Sequence, residues 1–453
     1  MKSRFQALWL FVAGALLLLA MGCNDTLRQF ITPVPPPTGD PQGLSHGVAL
    51  STNPVASSPG SDMHIDVSGD TSVGIVPLGV NPIFLGKSGN KAFIINSGDA
   101  SNPPTVSVYI ALLPQAATVS IVTLPTAPSP NQAITPIAGG TSSSGNIFIA
   151  NRDSNNISVI SGGLQAVTDT IPLPAGDTHP VMIAGNAANN QIFVVNQSSG
   201  TVTQISTIDD TVVTSIPVGS QPIWGVMSTD GLFVFVVNQG DGSVSVIDTS
   251  TSKVISTVPV GNTPASASPN FAFYDPTLHR VYVSNTGENT ISVINANGIS
   301  GANPPTTSTT IAVSGTPTSV TALSDGSKAY VALGNCPAGV NHTTLLATLP
   351  SCNGNLVSVV DAVGLREIRT IPVGIGAVSI DASPDATRVF VANAHDSFTS
   401  SAGTNTAGTI SDIRTSTDTE AIRMLAPQQD PLCHVSATVF CPVQTTFMIR
   451  TFP

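Results

Sequence analysis

Short apolar runs alternate with polar, glycine-rich joints along most of this chain, and the alternation repeats. Residues 234–261, VFVVNQGDGSVSVIDTSTSKVISTVPVG, contain the run VFVV, a joint NQGDGS, the run VSVI, and a third run that ends on Pro-Val-Gly. Runs that resemble VFVVN occur seven times: AFIIN (92–96), IFIAN (147–151), IFVVN (192–196), VFVVN (234–238), VYVSN (281–285), AYVAL (329–333) and VFVAN (389–393). A VSVID-like run follows each copy and another apolar stretch precedes it, so each repeat predicts four strands.

Four strands at a period of about 40 to 50 residues are typical of a β-propeller. One small sheet cannot bury both of its faces, whereas sheets stacked in a ring can, with only short edges left exposed. Val, Ile and Thr fill the runs because β-branched residues suit a packed, pleated surface. We therefore predict an all-β fold, a single β-propeller of four-stranded blades.

The repeats also resemble a known family. VYVSNTGENTISVIN (281–295) and TIPVG (370–374) are similar to the YVTN-type β-propeller repeat, and the resemblance extends from about Val80 to Ala426. Members are mostly binding or surface proteins of bacterial and archaeal envelopes. Some resemble propeller subunits of quinoprotein dehydrogenases or propeller lactonases. The resemblance implies a fold and a compartment rather than a reaction, because the repeat residues are structural.

Strands remain outside the seven complete repeats. Met63–Val67 and Ser72–Gly79 read like the third and fourth strands of a repeat, while His434–Phe440 and Thr446–Thr451 read like the first and second. Together they predict an eighth blade that joins the chain ends. The alternative is seven blades with a tail that pairs beyond them.

The first residues resemble a bacterial lipoprotein signal. Basic Lys2 and Arg4 precede an apolar segment, and Ala20-Met21-Gly22-Cys23 matches a lipobox, although Met21 replaces the usual small residue. We predict removal of residues 1–22 and lipidation of Cys23; ordinary signal cleavage is the alternative. Residues 23–60, rich in Pro, Ser and Gly, predict a stalk, and residues 61–453 the propeller. The expected location is the bacterial cell envelope, periplasmic or surface-exposed.

The charge and the cysteine content of the chain exclude some classes of binding partner. The formal net charge of −11 argues against nucleic acid and against direct adhesion to anionic lipid, so the lipid anchor would be the only membrane contact. Of five cysteines, Cys336 with Cys352 and Cys433 with Cys441 are predicted to form local disulfides in an exported protein. Zinc is the rival, but neither pair has the Cys-x-x-Cys spacing. We expect a monomer with an envelope protein or glycan as partner.

The sequence contains no short catalytic motif. It has no Cys-x-x-Cys-His, Gly-x-Ser-x-Gly, His-Glu-x-x-His or phosphate-binding loop. The stretches predicted as innermost strands, such as PIFLG and PVMIAG, carry almost no charge. We therefore expect no catalytic residue, metal or cofactor, and no enzyme, with a lactonase-like hydrolase or a quinoprotein dehydrogenase-like partner as the alternative.

Long joints point to a binding face. In a blade, the joint between the second and third strands shares a face with the joint to the next blade, and three such joints are long: Ser97–Pro104, Gly334–Asn355 and Ala394–Gly408. They belong to the first, sixth and seventh repeats, which are neighbours in a closed ring, and long loops often bind ligands. Drift in tolerant surface loops is the alternative. The predicted ligand-binding residues are Asp99, His179, Trp224, His342, His395 and Asp396.

Overall fold

The computed structural model describes residues 46–52, 59–67, 71–111, 119–124, 135–400, 403–425 and 445–452. Within these ranges the strands form eight antiparallel sheets of four strands each, and each sheet is one blade. The chain is an eight-bladed β-propeller, so the alternative with seven blades and a pairing tail is wrong. We number the blades from the first complete repeat and give the strands from the inner to the outer edge.

The seven complete repeats form blades 1 to 7. Blade 1 contains β4 (Pro82–Ser88), β5 (Lys91–Asn96), β6 (Thr105–Ile110) and β7 (Ser120–Thr123), and blade 2 contains β8 (Pro136–Thr141), β9 (Ile147–Asn151), β10 (Asn156–Ile160) and β11 (Val167–Pro172). Blade 3 contains β12 (Pro180–Ala184), β13 (Gln191–Asn196), β14 (Thr201–Ser206) and β15 (Thr211–Pro217). Blade 4 contains β16 (Pro222–Met227), β17 (Phe233–Asn238), β18 (Ser243–Asp248) and β19 (Lys253–Pro259). Blade 5 contains β20 (Pro269–Asp275), β21 (Arg280–Asn285), β22 (Thr290–Asn295) and β23 (Ser308–Ala312). Blade 6 contains β24 (Ser319–Ala322), β25 (Lys328–Leu333), β26 (Leu356–Asp361) and β27 (Arg366–Pro372). Blade 7 contains β28 (Ala377–Ala382), β29 (Arg388–Ser400), β30 (Gly403–Arg414) and β31 (Thr419–Leu425).

The chain ends share blade 8. Its strands, from the inner edge, are β32 (Thr445–Phe452), β1 (His46–Thr52), β2 (Pro59–Asp66) and β3 (Thr71–Val80). The third and fourth strands lie where the sequence predicted them. The strand at Thr446–Thr451 is the first strand rather than the second, because β1 pairs with it and takes the second place. His434–Phe440, predicted as the first strand, lies outside the described residues.

Strand β1 also moves a domain boundary. It falls inside residues 23–60, the predicted stalk, and its apolar side chains Val48, Ala49 and Leu50 are fully buried. The Pro- and Ser-rich surroundings conceal this short strand in the sequence. The propeller therefore begins by His46, and residues 23–45 lie outside the described part of the chain.

Packing between blades explains the composition of the strands. In β17, five consecutive residues are buried, because both faces of a middle strand contact neighbouring sheets. The outer strand β15 alternates exposed and partly buried positions, since one of its faces meets solvent. Apolar runs without alternation are therefore inner or middle strands.

A buried asparagine ends the second strand of most repeats. Asn238 donates two hydrogen bonds from Nδ2, to Ser243 Oγ at 3.0 Å and Ser245 Oγ at 2.9 Å on the third strand. Equivalent pairs of bonds are made by Asn96, Asn151, Asn196, Asn285 and Asn393. These bonds fix the turn and leave little freedom in the joint. Blade 6 has Leu333 at this position, and its joint, Gly334–Asn355, is the longest of the three long joints.

The glycine after Pro-Val touches the same corner of the next blade. A Cβ built on Gly219 would lie 2.6 Å from Asn238 Cγ and 2.4 Å from Asp241 Oδ2, and one built on Gly374 would lie 2.6 Å from Asn393 Nδ2. Only a residue without a side chain permits this approach. The glycine therefore packs the end of the outer strand against the following blade in blades 3 and 6, and Gly79 of blade 8 makes the same contact with Asn96.

Helical segments are brief in the described ranges: α1 (Pro264–Ala267), α2 (Leu345–Thr348) and a 3₁₀ turn (Leu349–Ser351). None of the helices described is both long and apolar enough to span a bilayer.

Candidate ligand site in the central channel

The joint Gly334–Asn355 of blade 6, here called the cap loop, is built as a small structure of its own. It contains α2 and the 3₁₀ turn, and the Cys336 and Cys352 sulfurs are bonded at 2.02 Å. The backbone N–H of Gly354 donates to the Gly334 carbonyl at 2.8 Å. Both links hold the base of the loop together. The predicted pair Cys433 and Cys441 lies outside the described residues.

The cap loop reaches over the channel to the far blades. Asn341 Nδ2 donates to Gln239 Oε1 of blade 4 at 3.1 Å, and His342 Nε2 lies 2.6 Å from the Val181 carbonyl oxygen of blade 3. The His342 ring also meets the Trp224 ring of blade 4 edge to face, with centroids 5.2 Å apart. The loop thus joins one side of the ring to the other and covers the channel mouth.

His342 is held as a neutral side chain. Burial lowers its pKa to about 4, against the opposing effect of the hydrogen bond to Val181. Because the Val181 oxygen only accepts, Nε2 carries the proton and donates it. The other ring nitrogen, Nδ1, is buried and has no hydrogen-bond partner within the described residues. It is therefore a buried acceptor with unused hydrogen-bonding capacity.

A cavity lies beneath the cap loop. It is small, with a volume of about 40 Å³ that a water-sized molecule can enter, and it opens to solvent. Its wall combines the inner strands of blades 4 to 8 with the cap loop, through Trp224, Asn270, Phe271, Thr318, Ser319, Val340, Asn341, His342, Leu345, Val378, Ser379, Phe447, Met448 and Arg450. Concave, mainly apolar sites with a few convergent polar groups are typical of small-molecule binding.

Two polar groups in the wall have unused hydrogen-bonding capacity. Arg450 Nη1 donates to the Ile449 carbonyl at 2.8 Å, and no Asp or Glu lies among the cavity-lining residues. Burial lowers the pKa of Arg450, and the nearby carboxylate of Asp381 partly opposes this. Asn270 is 6% exposed; its Nδ2 donates to the Thr318 carbonyl at 3.0 Å, while its Oδ1 has no partner in the described part of the chain.

Of the six predicted ligand residues, the structure brings His342 and Trp224 together at the cavity. The Trp224 indole N–H donates to the Ala272 carbonyl at 3.0 Å and its ring lies 4.7 Å from that of Phe271, so it forms the cavity wall. His179, exposed and with a φ of 57°, lies two residues before Val181 at the rim.

Three predicted residues lie in other surroundings. Asp99 accepts the backbone N–H groups of Ser101 and Asn102 at 2.7 and 2.9 Å and so shapes its own turn. Asp396 forms an ion pair with Arg423 at 3.0 Å. Burial lowers the pKa of the neighbouring His395.

The long joint after blade 7's second strand differs from its prediction. Residues 394–408 were expected to form a loop, but β29 and β30 continue pairing from Asp396 with Ala407 to Ser400 with Gly403. Here the two strands extend past the ring as a ribbon.

Arg450 and Asn270 were not predicted. Arg450 lies on the strand predicted to be second in its blade, where a charge would face another sheet rather than the channel. Asn270 follows Pro269 in a repeat whose first strand reads PNFAFYD, and that polar residue at the start of an inner strand was a usable signal. In the part of the chain that is described, no three His, Cys, Asp or Glu side chains are grouped as metal ligands.

No family model matches the chain, and no curated protein sequence does. Among solved structures, the dihydro-haem d1 dehydrogenase NirN in complex with DHE is similar, with a TM-score of 0.60 and 11% identity over 89% of this chain and 76% of that one. A functionally unknown protein of Desulfotomaculum acetoxidans gives 0.51 and 14%, over 72% and 94%. A candidate 6-phosphogluconolactonase of Bacteroides fragilis gives 0.50 and 16%, over 75% and 97%. These likenesses show the propeller fold.

The comparisons correct the expectation that the chain is not an enzyme. A dehydrogenase has the same fold over most of its length, so the propeller fold does not argue against catalysis. The second basis for that expectation, inner strands almost without charge, is weakened by Arg450 on β32.

Proposed function

We propose that this chain is a propeller that binds a small ligand in the cavity beneath the cap loop, at the bacterial envelope. The observation that carries this proposal is the bridge that the cap loop makes to Val181 and Gln239 on the far blades. A joint that served only to connect two strands could be as short as the four residues 239–242 of blade 4. Here it is extended, cross-linked, and directed into the channel.

A small ligand is favoured over a protein or a glycan because of where the polar groups lie. Asn341 and His342 contact the blades below, and Asn270 and Arg450 lie in the cavity wall. Asn341 and Asn270 are buried, so a large partner on the outer surface would not reach them. Disulfide closure of the cap loop also lowers the entropy that the loop loses when it orders around a ligand.

The test replaces residues 334–355 by QGDG, the joint of blade 4, and Leu333 by Asn to restore the corner that the other repeats have. Ser358 Oγ is buried without a partner among the described residues and would accept the new Asn Nδ2. We expect a folded propeller that no longer retains the small molecule found with the wild-type protein by native mass spectrometry. A matched control replaces residues 394–408 by QGDG and keeps that molecule bound.

Retention of the same molecule without the cap loop would place the site elsewhere. Loss of an envelope protein or glycan from the complex, with no small molecule in the wild type, would instead support binding on the outer surface. The cap loop contributes the buried side chains of Val340 and Leu349, and residues 394–408 contribute that of Ala394, so both replacements should lower thermal stability. A cooperative unfolding transition in each variant shows that the propeller still folds.

The envelope location rests on the sequence. The lipobox and the YVTN-like repeats support lipidation of Cys23, which lies outside the described residues, and membership of that repeat family. We expect Cys23→Ala to release the protein from membranes and to abolish labelling with radioactive palmitate. Labelling that persists in this variant would exclude Cys23 as the anchor.

A further inference from the structure

Arg450 is the one residue with a permanent charge among those that line the cavity. A guanidinium has five N–H donors, and within the described residues this one makes a single hydrogen bond, to a carbonyl oxygen of its own strand. The side chain is partly buried, and the carboxylate near it, that of Asp381, is shared with Lys87. An anion that entered the cavity would accept hydrogen bonds from the guanidinium donors that are not yet used.

We propose that the ligand is a small organic carboxylate, a monoanion that also carries a hydroxyl or amine. The carboxylate binds the Arg450 guanidinium, and the hydroxyl or amine donates to Asn270 Oδ1 or His342 Nδ1. This assignment rests on the proposed function, since it concerns the ligand of the same cavity.

The balance of charge favours a monoanion over a phosphate. The other cation near Arg450, Lys87, donates from Nζ to the Thr451 carbonyl at 2.7 Å and lies 5.5 Å from the centre of the Phe452 ring, so it is already engaged. Asp381 is close enough to interact with both cations, and its Oδ2 accepts the Thr451 N–H at 2.8 Å. Two cations and one carboxylate leave one positive charge, which a carboxylate neutralises and a phosphate dianion exceeds.

The remaining groups define the rest of the ligand. Asn270 Oδ1 and His342 Nδ1 are both buried acceptors without partners among the described residues, so each favours a ligand hydroxyl or amine over a second acceptor. Trp224, Phe271 and Met448 form an apolar wall beside them. The complementary molecule is a hydroxy or amino acid with an apolar body.

The test uses Trp224 as the reporter. The chain has two tryptophans, and Trp9→Phe leaves Trp224 alone in the cavity wall. The probes share one branched body: 2-hydroxyisocaproate, isocaproate without the hydroxyl, 2-hydroxyisocaproamide without the charge, and inorganic phosphate. We expect saturable change in Trp224 emission with 2-hydroxyisocaproate, weaker binding of isocaproate, and binding of the amide at least tenfold weaker.

The variants separate charge from shape. Arg450→Met should weaken binding of both acids at least tenfold and leave binding of the amide unchanged, because a charge-assisted bidentate contact is lost while the volume is kept. Arg450→Lys should restore part of the affinity. Asn270→Leu should remove the preference for 2-hydroxyisocaproate over isocaproate. If Arg450→Met does not fold, the acid and amide affinities of the wild type still decide whether charge matters.

Equal affinity for acid and amide, unchanged acid binding in Arg450→Met, or stronger binding of phosphate would overturn the assignment. So would the absence of binding by every acid. In that case the cap-loop replacement still decides whether the cavity holds a ligand, so failure of the carboxylate assignment is distinct from failure of the proposed function.

Discussion

Replacing His342 by Gln tests whether the cap loop closes the channel through a neutral imidazole. Glutamine keeps an N–H that can reach the Val181 carbonyl, but it does not titrate. We therefore expect His342→Gln to be no more stable than wild type at pH 7. As the pH falls, its free energy of unfolding should rise relative to that of the wild type.

The sign follows from the two pKa values. The pKa of His342 is about 4 in the folded chain and 6.5 when unperturbed, so between these values the unfolded chain binds the proton more readily. The contribution of the neutral imidazole is therefore complete above pH 6.5 and is lost as the pH falls toward 4. A difference of about 2.5 pKa units corresponds to at most about 3 kcal/mol.

The assay is urea unfolding of both proteins at pH 4, 5, 6 and 7, followed by Trp224 emission in the Trp9→Phe background. Subtracting the two free energies of unfolding at each pH removes the carboxylates, which titrate in both proteins. The same subtraction for His279→Gln, at an exposed site, corrects for losing any histidine. A wild-type advantage that stays constant from pH 7 to pH 4 would refute the buried, neutral state of His342.

Three further variants test the packing of the ring. Asn238→Ala should lower the free energy of unfolding, measured by denaturant titration, by about 2 to 4 kcal/mol, because two buried hydrogen bonds are lost and two hydroxyls are left without a partner. The control Asn297→Ala, at an exposed site, should change it by less than about 0.5 kcal/mol. Gly219→Ala should lower it by about 1 to 3 kcal/mol through overpacking, while Gly176→Ala, where a Cβ meets nothing within 4 Å, should be neutral or slightly stabilising in the same titrations. Asp62, whose pKa burial raises to about 8 despite a hydrogen bond from a tyrosine, destabilises the fold increasingly as the pH rises from about 4 to about 8. Asp62→Asn should therefore be more stable than wild type at pH 9, by at most about 6 kcal/mol. A difference in stability between the two proteins that is the same at pH 5 and pH 9 would contradict the burial of that carboxyl group.

The seven repeats could be predicted because each carries its own local signals. Asn238 ends a buried run and Gly219 ends the preceding blade, and the same contact joins Gly374 to Asn393 and Gly79 to Asn96. Blade 8 could be predicted only in part. Its third and fourth strands follow the repeat pattern, whereas the choice of β1 or a C-terminal segment as the second strand depends on which edge pairs with β32. That pairing joins residues nearly the whole chain apart and leaves no local signal.

The candidate site was likewise predicted in part. Loop length drew attention to His342, and its aromatic character to Trp224. Their meeting depends on a hydrogen bond that spans 161 residues, from His342 to Val181, and periodicity carries no information on such a contact. Arg450 was missed because its strand was assigned one place too far from the channel.

Closure of the ring and the candidate site depend on the same strand. β32 pairs with β1 through Val48 with Arg450 and Ala49 with Ile449, so the residue that charges the cavity belongs to the strand that joins the two ends of the chain. A ligand held by Arg450 would bind the closed ring and not the unfolded chain, and at a concentration of 100 Kd it would stabilise closure by about 2.7 kcal/mol. The cap loop contacts blades 3 and 4 on the other side of the channel. A bound ligand between Arg450 and His342 would therefore link the closing blade to the far side of the ring, so ligand binding and integrity of the propeller would be coupled.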